Sequence, residues 1–145
     1  MHWKIIAIGK PALSWAREGI ADYLQRLTRM ARVEMEYLRD GTAEEVDERL
    51  LRASEGCRRI VLDERGSTPD TMSLRLKLDA WEMQGVKRAA LLIGPANGHT
   101  PAMRAVADDI WALSRLTLQH ELALTVLLEQ IYRIYTIKRG EPYHR

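Results

Sequence analysis

Strand-like and helix-like apolar patterns alternate along this chain from one end to the other, and this restricts the fold more than any other feature. Trp3 to Ile8 reads as a buried strand stopped by Gly9. From Leu13 the apolar residues recur at Ala16, Ile20, Tyr23, Leu24 and Leu27, which is helical spacing. In Arg32 to Leu38, Val33, Met35 and Tyr37 alternate with Glu34 and Glu36, as in a half-exposed strand at a sheet edge. Thr42 and Glu45 have capping-box spacing, and the helix they open runs through Val46, Leu50 and Leu51 to Gly56. Arg59 to Leu62 is a short strand, and Thr68-Pro69 is expected to open the next helix with proline at its first position. Ala89 to Ile93 is the most apolar strand and should be central. Thr100-Pro101 opens a further helix, Trp111 to Ser114 is expected to be a short strand, and a last helix runs from about Glu121 to Lys138.

The resulting order, β-α-β-α-β-α-β-α-β-α, implies an α/β sheet with helices on both faces. With 145 residues, one domain spanning 1–145 is expected. A hydrophobic content of 46% is enough for a core and excludes the disorder signature. No apolar run approaches the ~20 residues of a membrane helix. The single cysteine, Cys57, cannot form an internal disulfide, so a reducing cytoplasm is the expected compartment. The last helix carries apolar residues from Leu122 to Ile137 around nearly its whole circumference, which predicts burial on all sides and hence a dimer.

Function is less legible in the pattern. Net charge is only +2, but Arg133 to Arg145 is locally basic, as an RNA contact at one edge would be. The loop Gly94-Pro95-Ala96-Asn97-Gly98 sits where doubly wound folds bind ligands, yet matches no pyrophosphate motif; a plain turn and a ligand loop both remain open. Leu113 to Leu118 is either a strand end with its loop or an apolar slot for a flat base. His2, His99, His120 and His144 have no metal-ligand spacing. The end, Pro142-Tyr143-His144-Arg145, joins an aromatic ring, a proton-transfer group and a cation; a frayed terminus is the alternative.

Gly9-Lys10, Trp15, Gly19, Tyr23, Leu62-Asp63-Glu64-Arg65-Gly66, Leu92-Ile93-Gly94, Leu113-Ser114, Leu116-Thr117-Leu118, His120, Glu129, Tyr132-Arg133 and the terminal Pro142-Tyr143-His144-Arg145 occur in that order. In these residues, along essentially its whole length, the chain resembles the RlmH-type SPOUT methyltransferases, once called the YbeA family. The resemblance implies a single-domain SPOUT fold with a parallel-rich sheet, a C-terminal trefoil knot and a homodimer. It implies methylation of N3 of a pseudouridine in 23S ribosomal RNA, within the assembled ribosome, with S-adenosyl-L-methionine as donor. By motif match it places the cofactor at Leu62, Gly94, Leu113, Ser114, Arg115, Leu116, Thr117 and Leu118. Tyr143 and His144 become the candidates for proton transfer, and His120, Arg133 and Arg145 for RNA contact, with no metal and no membrane. Pro95 stands where the family usually has a second glycine, Asn97 where it has an acidic residue and Leu124 where it has an arginine. These departures leave open an alternative, a diverged dimer that binds cofactor or RNA without transferring a methyl group.

Overall fold

Five parallel strands form one sheet in the order β2-β1-β4-β3-β5 in a computed structural model that describes residues 1–145. The strands are β1 (His2–Ile8), β2 (Arg32–Leu38), β3 (Arg58–Ser67), β4 (Arg88–Ile93) and β5 (Asp109–Trp111). Between and after them come α1 (Ser14–Leu27), α2 (Ala43–Ala53), α3 (Thr71–Met83), α4 (Pro101–Ala105) and α5 (His120–Lys138). Strict alternation therefore produced the α/β sheet expected of it. β2 lies at the edge with Glu34 and Glu36 exposed, and β4 lies in the middle with Ala89 to Ile93 buried.

Side chains alternate across the sheet and divide the core in two. Trp3, Ile5, Ala7, Ile60, Ala89, Leu91 and Ile93 point to one face, where α1, α3 and α5 cover them. Ile6, Ile8, Val61, Ala90 and Leu92 point to the other, under Val46 and Leu50 of α2 and Met103 of α4. On the larger face, Trp3 Nε1 donates to the Tyr135 hydroxyl at 2.9 Å, tying the first strand to the last helix.

Local chemistry sets most element ends. Thr42 and Glu45 form the full reciprocal capping box. Thr100 accepts from Met103 N with Pro101 at the first turn of α4. The start of α3 differs from expectation: the cap is Asp70, whose carboxylate accepts from Ser73 N at 2.8 Å, and Thr68-Pro69 stays outside the helix. A residue before proline favours extended backbone, and aspartate caps as well as threonine, so the later residue takes the role.

Two strand boundaries differ in a way that creates the cleft described below. β3 continues past Leu62 to Ser67, and both Leu62 and Ser67 register with Trp111, so residues 63–66 bow out of the ladder. β5 begins earlier and ends at Trp111, leaving 112–119 as loop rather than strand. Gly66 allows the bow to close. A Cβ built there would lie 2.5 Å from Ile110 O and 2.6 Å from its carbonyl carbon.

The last helix is less uniformly covered than its composition suggests. Leu124, Leu127, Leu128, Ile131, Ile134 and Tyr135 are buried within the chain, whereas Leu122 is exposed and Val126, Tyr132 and Ile137 are partly so. The uncovered strip of α5 is thus apolar at Leu122 and polar at Glu129 and Arg133.

Candidate active site

The C-terminal ends of β3, β4 and β5 meet at a cleft of about 290 Å³. Three segments wall it: Leu62 to Arg65 after β3, Ile93 to His99 after β4, and Trp111 to Leu118 (without Arg115) after β5, with His120 and Ala123 of α5 at its side. Ligands of open α/β sheets bind at this edge. Leu62, Gly94, Leu113, Ser114, Leu116, Thr117 and Leu118, far apart in sequence, all line it. Arg115 is exposed and outside the lining, and His120 lies in the cleft.

Each wall has a structural reason. After β4, Gly98 N donates to Pro95 O at 2.8 Å and Gly98 takes φ +86°, so the loop turns back on itself. Pro95 therefore serves as the acceptor that opens the turn, a role that needs no N–H. After β5, Leu116 N is held by Ser114 Oγ at 2.9 Å, and Thr117 Oγ1 donates to Glu64 Oε2 at 3.3 Å, bridging two walls. Below the β3 lip, the Asp63 carboxylate is almost fully buried, accepts from Arg65 N and pairs with Arg104 at 3.3 Å and Arg65 at 3.6 Å. Arg104 also donates to His99 O at 2.8 Å, so Asp63 joins the β3 lip to the β4 loop through α4.

His99 is the residue that sequence spacing passed over. It is buried, its Nε2 lies 3.0 Å from Leu92 O, and burial pushes its pKa below the usual imidazole value. A carbonyl only accepts, so Nε2 carries the proton and Nδ1 is a bare lone pair without a partner. A Cβ at Gly94 would come within 3.1 Å of this ring, so Gly94 is needed to seat the imidazole. The signal was a histidine directly before the Thr100-Pro101 helix start, which fixes its backbone beside the strand end. The carboxylates of Asp63 and Glu64 were also left unassigned, although they flank the matched Leu62.

The terminal residues gather elsewhere, on the middle of α5. Tyr143 packs edge-on against Tyr132 at 4.9 Å, with the Arg133 guanidinium 4.8 Å from its ring. Its hydroxyl donates to Glu129 Oε1 at 3.0 Å, so Tyr23, also 3.0 Å away, must donate to it. Burial, reinforced by these two partners, pushes the Tyr143 pKa upward. Arg133 holds Glu129 Oε1 at 2.7 Å and reaches His144 Nδ1 at 3.1 Å. An arginine only donates, so His144 Nδ1 accepts and its proton sits on Nε2. Arg145 is exposed. The terminus is docked rather than frayed, and Tyr23, Glu129 and Tyr132 dock it. From Ala123 at the cleft to Arg133 is ten residues of helix, roughly 15 Å. One chain therefore brings the cofactor candidates together and, separately, the tail candidates, but not the two groups.

No three of the histidine, cysteine, aspartate and glutamate side chains gather to hold a metal ion. No helix is long and apolar enough to cross a membrane.

A parallel α/β sheet with a loop-walled cleft at its C-terminal edge is the frame of a ligand-binding α/β protein, and the comparisons specify which. Residues 1–144 match the family model described as predicted SPOUT methyltransferase. The chain belongs to that family and is a methyltransferase. It is 46% identical over 145 residues to a Thermus thermophilus protein named ribosomal RNA large subunit methyltransferase H, covering 100% of this chain and 99% of the relative. A Deinococcus radiodurans protein of the same name is 39% identical over 145 residues, with the same coverage. Among solved structures, a probable methylase family protein from Haemophilus influenzae superposes with TM-score 0.62 at 11% identity, over 99% of this chain and 70% of that one. A probable methyltransferase from Bordetella pertussis gives 0.58 at 11% identity, over 92% and 96%.

Proposed function

We propose that this chain transfers the methyl group of S-adenosyl-L-methionine to N3 of a pseudouridine in the 23S RNA of the assembled large ribosomal subunit. The observation that carries the reading is the convergence of Leu62, Gly94 and Leu113 to Leu118 on one cleft. Its chemistry suits the cofactor. Leucines 62, 113, 116 and 118 with Trp111 offer apolar walls to an adenine, the cleft-lining Glu64 carboxylate would favour a cationic ligand, and the cleft-lining His99 and Trp111 each keep a buried polar atom unpaired. The ribosomal substrate rests on the full-length relatives named above. Cytoplasmic residence follows from such a substrate.

Bound in this cleft, the cofactor would supply a methyl already activated by its sulfonium. The protein's own work is then alignment and proton removal. The three loops orient the donor, and the bridge between Thr117 and Glu64 sets the spacing of two walls. The acceptor must lose a weakly acidic ring proton. Tyr143 is a donor to Glu129 and cannot take that proton while docked. His144 can take it at Nε2 only after leaving Arg133, which otherwise keeps the proton on Nε2. Arg133, Arg145 and His120 are the residues this reading assigns to phosphate or base contact.

The same reading includes the trefoil knot and the homodimer. Leu116, Trp15 and Leu122 are 75%, 50% and 37% exposed, and Leu13, also exposed, donates its N–H to Glu121 beside Leu122. A second copy would cover these apolar residues and could bring its tail to a cleft that the chain's own tail does not reach. Deleting Pro142 to Arg145 tests the assignment: methyl transfer to ribosomes should vanish while S-adenosylhomocysteine affinity and dimer mass persist. Unchanged turnover would make the tail a structural terminus. Cofactor binding by the intact chain without any transfer would favour the diverged, non-transferring dimer.

A further inference from the structure

Four buried side-chain nitrogens lack a hydrogen-bond partner: Arg58 Nε, Arg75 Nε, Trp111 Nε1 and His99 Nδ1. The first three are donors, so His99 Nδ1 is the single unpaired acceptor. An acceptor left unpaired in the interior has lost its hydration without compensation. The ring around it is held on every side. Its Nε2–H is committed to Leu92 O, Gly94 lies against its Cε1–Nε2 edge, and its carbonyl is clamped by Arg104, which Asp63 holds in turn. The imidazole therefore cannot flip to satisfy Nδ1 without abandoning Leu92. His99 lines the cleft, so its fixed, unpaired and buried acceptor is a recognition element for a ligand donor that enters deeply enough to meet it.

We propose that His99 is a specificity-determining residue of the cleft, whose Nδ1 accepts a hydrogen bond from the exocyclic amine of an adenine. The inference rests on the cofactor reading given above and assigns a residue within it. The donor should be neutral, because a buried charged ammonium opposite an uncharged imidazole would lose its hydration without compensation. The amine is the neutral donor on the flat part of a nucleoside that leucine walls would hold. A 6-oxo base presents an acceptor at that place and would face the lone pair of His99 with another.

The test is calorimetric titration of the full-length protein with S-adenosylhomocysteine and with S-inosylhomocysteine, its 6-oxo counterpart. The wild type should prefer the adenosyl ligand by about tenfold or more. His99→Gln keeps an N–H for Leu92 O but removes the Nδ1 acceptor. It should weaken the adenosyl ligand by about tenfold, leave the inosyl ligand no weaker, and so erase the preference. His99→Asn, with a carbonyl oxygen in place of Nδ1, should restore part of it. The ¹⁵N resonance of His99 Nδ1 in the wild type gives a second readout that needs no variant: it should shift upfield with the adenosyl ligand and stay with the inosyl one. An unchanged preference in His99→Gln, or an Nδ1 resonance indifferent to the adenosyl ligand, overturns the assignment while the cofactor reading stands. Wild-type protein that binds neither nucleoside overturns both.

Discussion

Replacing Gly66 by alanine would put a methyl group into backbone atoms. The new Cβ would sit 2.5 Å from Ile110 O, 2.6 Å from its carbonyl carbon and 2.9 Å from its Cγ2. The first two cannot rotate away, so β3 and β5 must separate where Leu62 and Ser67 both register with Trp111. Forcing a methyl into a filled interior costs about 1–3 kcal/mol, and backbone contacts this short belong near the upper end. Gly66 has no left-handed φ, so alanine also restricts the unfolded chain and offsets about 0.4–1 kcal/mol. The net loss is about 2 kcal/mol, which for a chain of this size lowers Tm by about 4–8 °C. Gly85→Ala is the control. It has open space around it and φ +80°, so it carries only a left-handed penalty of roughly 1 kcal/mol. Differential scanning calorimetry at one protomer concentration compares them. A Gly66→Ala protein as stable as Gly85→Ala, or as the parent, would refute the close approach of β3 to β5. Because residues 63–65 line the cleft directly above, the same variant should also bind S-adenosylhomocysteine more weakly.

Tyr135→Phe leaves the Trp3 indole N–H unpaired in the core and should destabilise the chain by about 1–3 kcal/mol, read as a lower urea midpoint with an unchanged slope. Glu121 is buried, which alone would raise its pKa, but the N–H groups of Leu13 and Ala12 outweigh this and lower it. Its stabilisation is therefore complete above the ordinary carboxylate value of about 4.3 and is lost as pH falls through the lower folded value, so the Tm gap between the parent and Glu121→Gln should close on acidification. Sedimentation equilibrium should give about twice the 16.7 kDa chain mass, and Trp15→Glu, altering a half-exposed side chain, should return the monomer with its circular dichroism unchanged. A parent protein that sediments as a monomer would remove the interface.

What could be read without coordinates was whatever local pattern decides. The period-2 run of β2, the reciprocal pair Thr42 and Glu45, and the apolar density of β4 each have one physical outcome, and the structure has it. Boundaries set by other segments were not legible. β3 extends beyond Leu62 because Ser67 O accepts from Ala112 N, a contact 45 residues away that no local window contains. Trp111 to Ser114 looked like a strand because it is apolar, but its leucine faces a cleft rather than a neighbouring strand. α5 looked apolar all round, yet three helices sharing one face of the sheet bury most of it within the chain. The cofactor candidates were found by motif, and seven of those eight line the cleft. His99 was missed because its task, a buried lone pair beside Gly94, depends on Leu92, Asp63 and Arg104 being brought to it. The separation of the tail from the cleft was equally invisible, since it depends on Tyr143 docking onto Tyr23 and Glu129.

The central claim, a methyl transferred from this cleft to ribosomal RNA, is tested most directly by incubating the purified protein with S-adenosylmethionine tritiated in its methyl group and intact ribosomes. After separation of the subunits, the account predicts label in the RNA of the large subunit, approaching one methyl per ribosome, at a modified pseudouridine. Ribosomes that stay unlabelled, or label confined to the small subunit, while the protein binds S-adenosylhomocysteine in the same buffer, would contradict it.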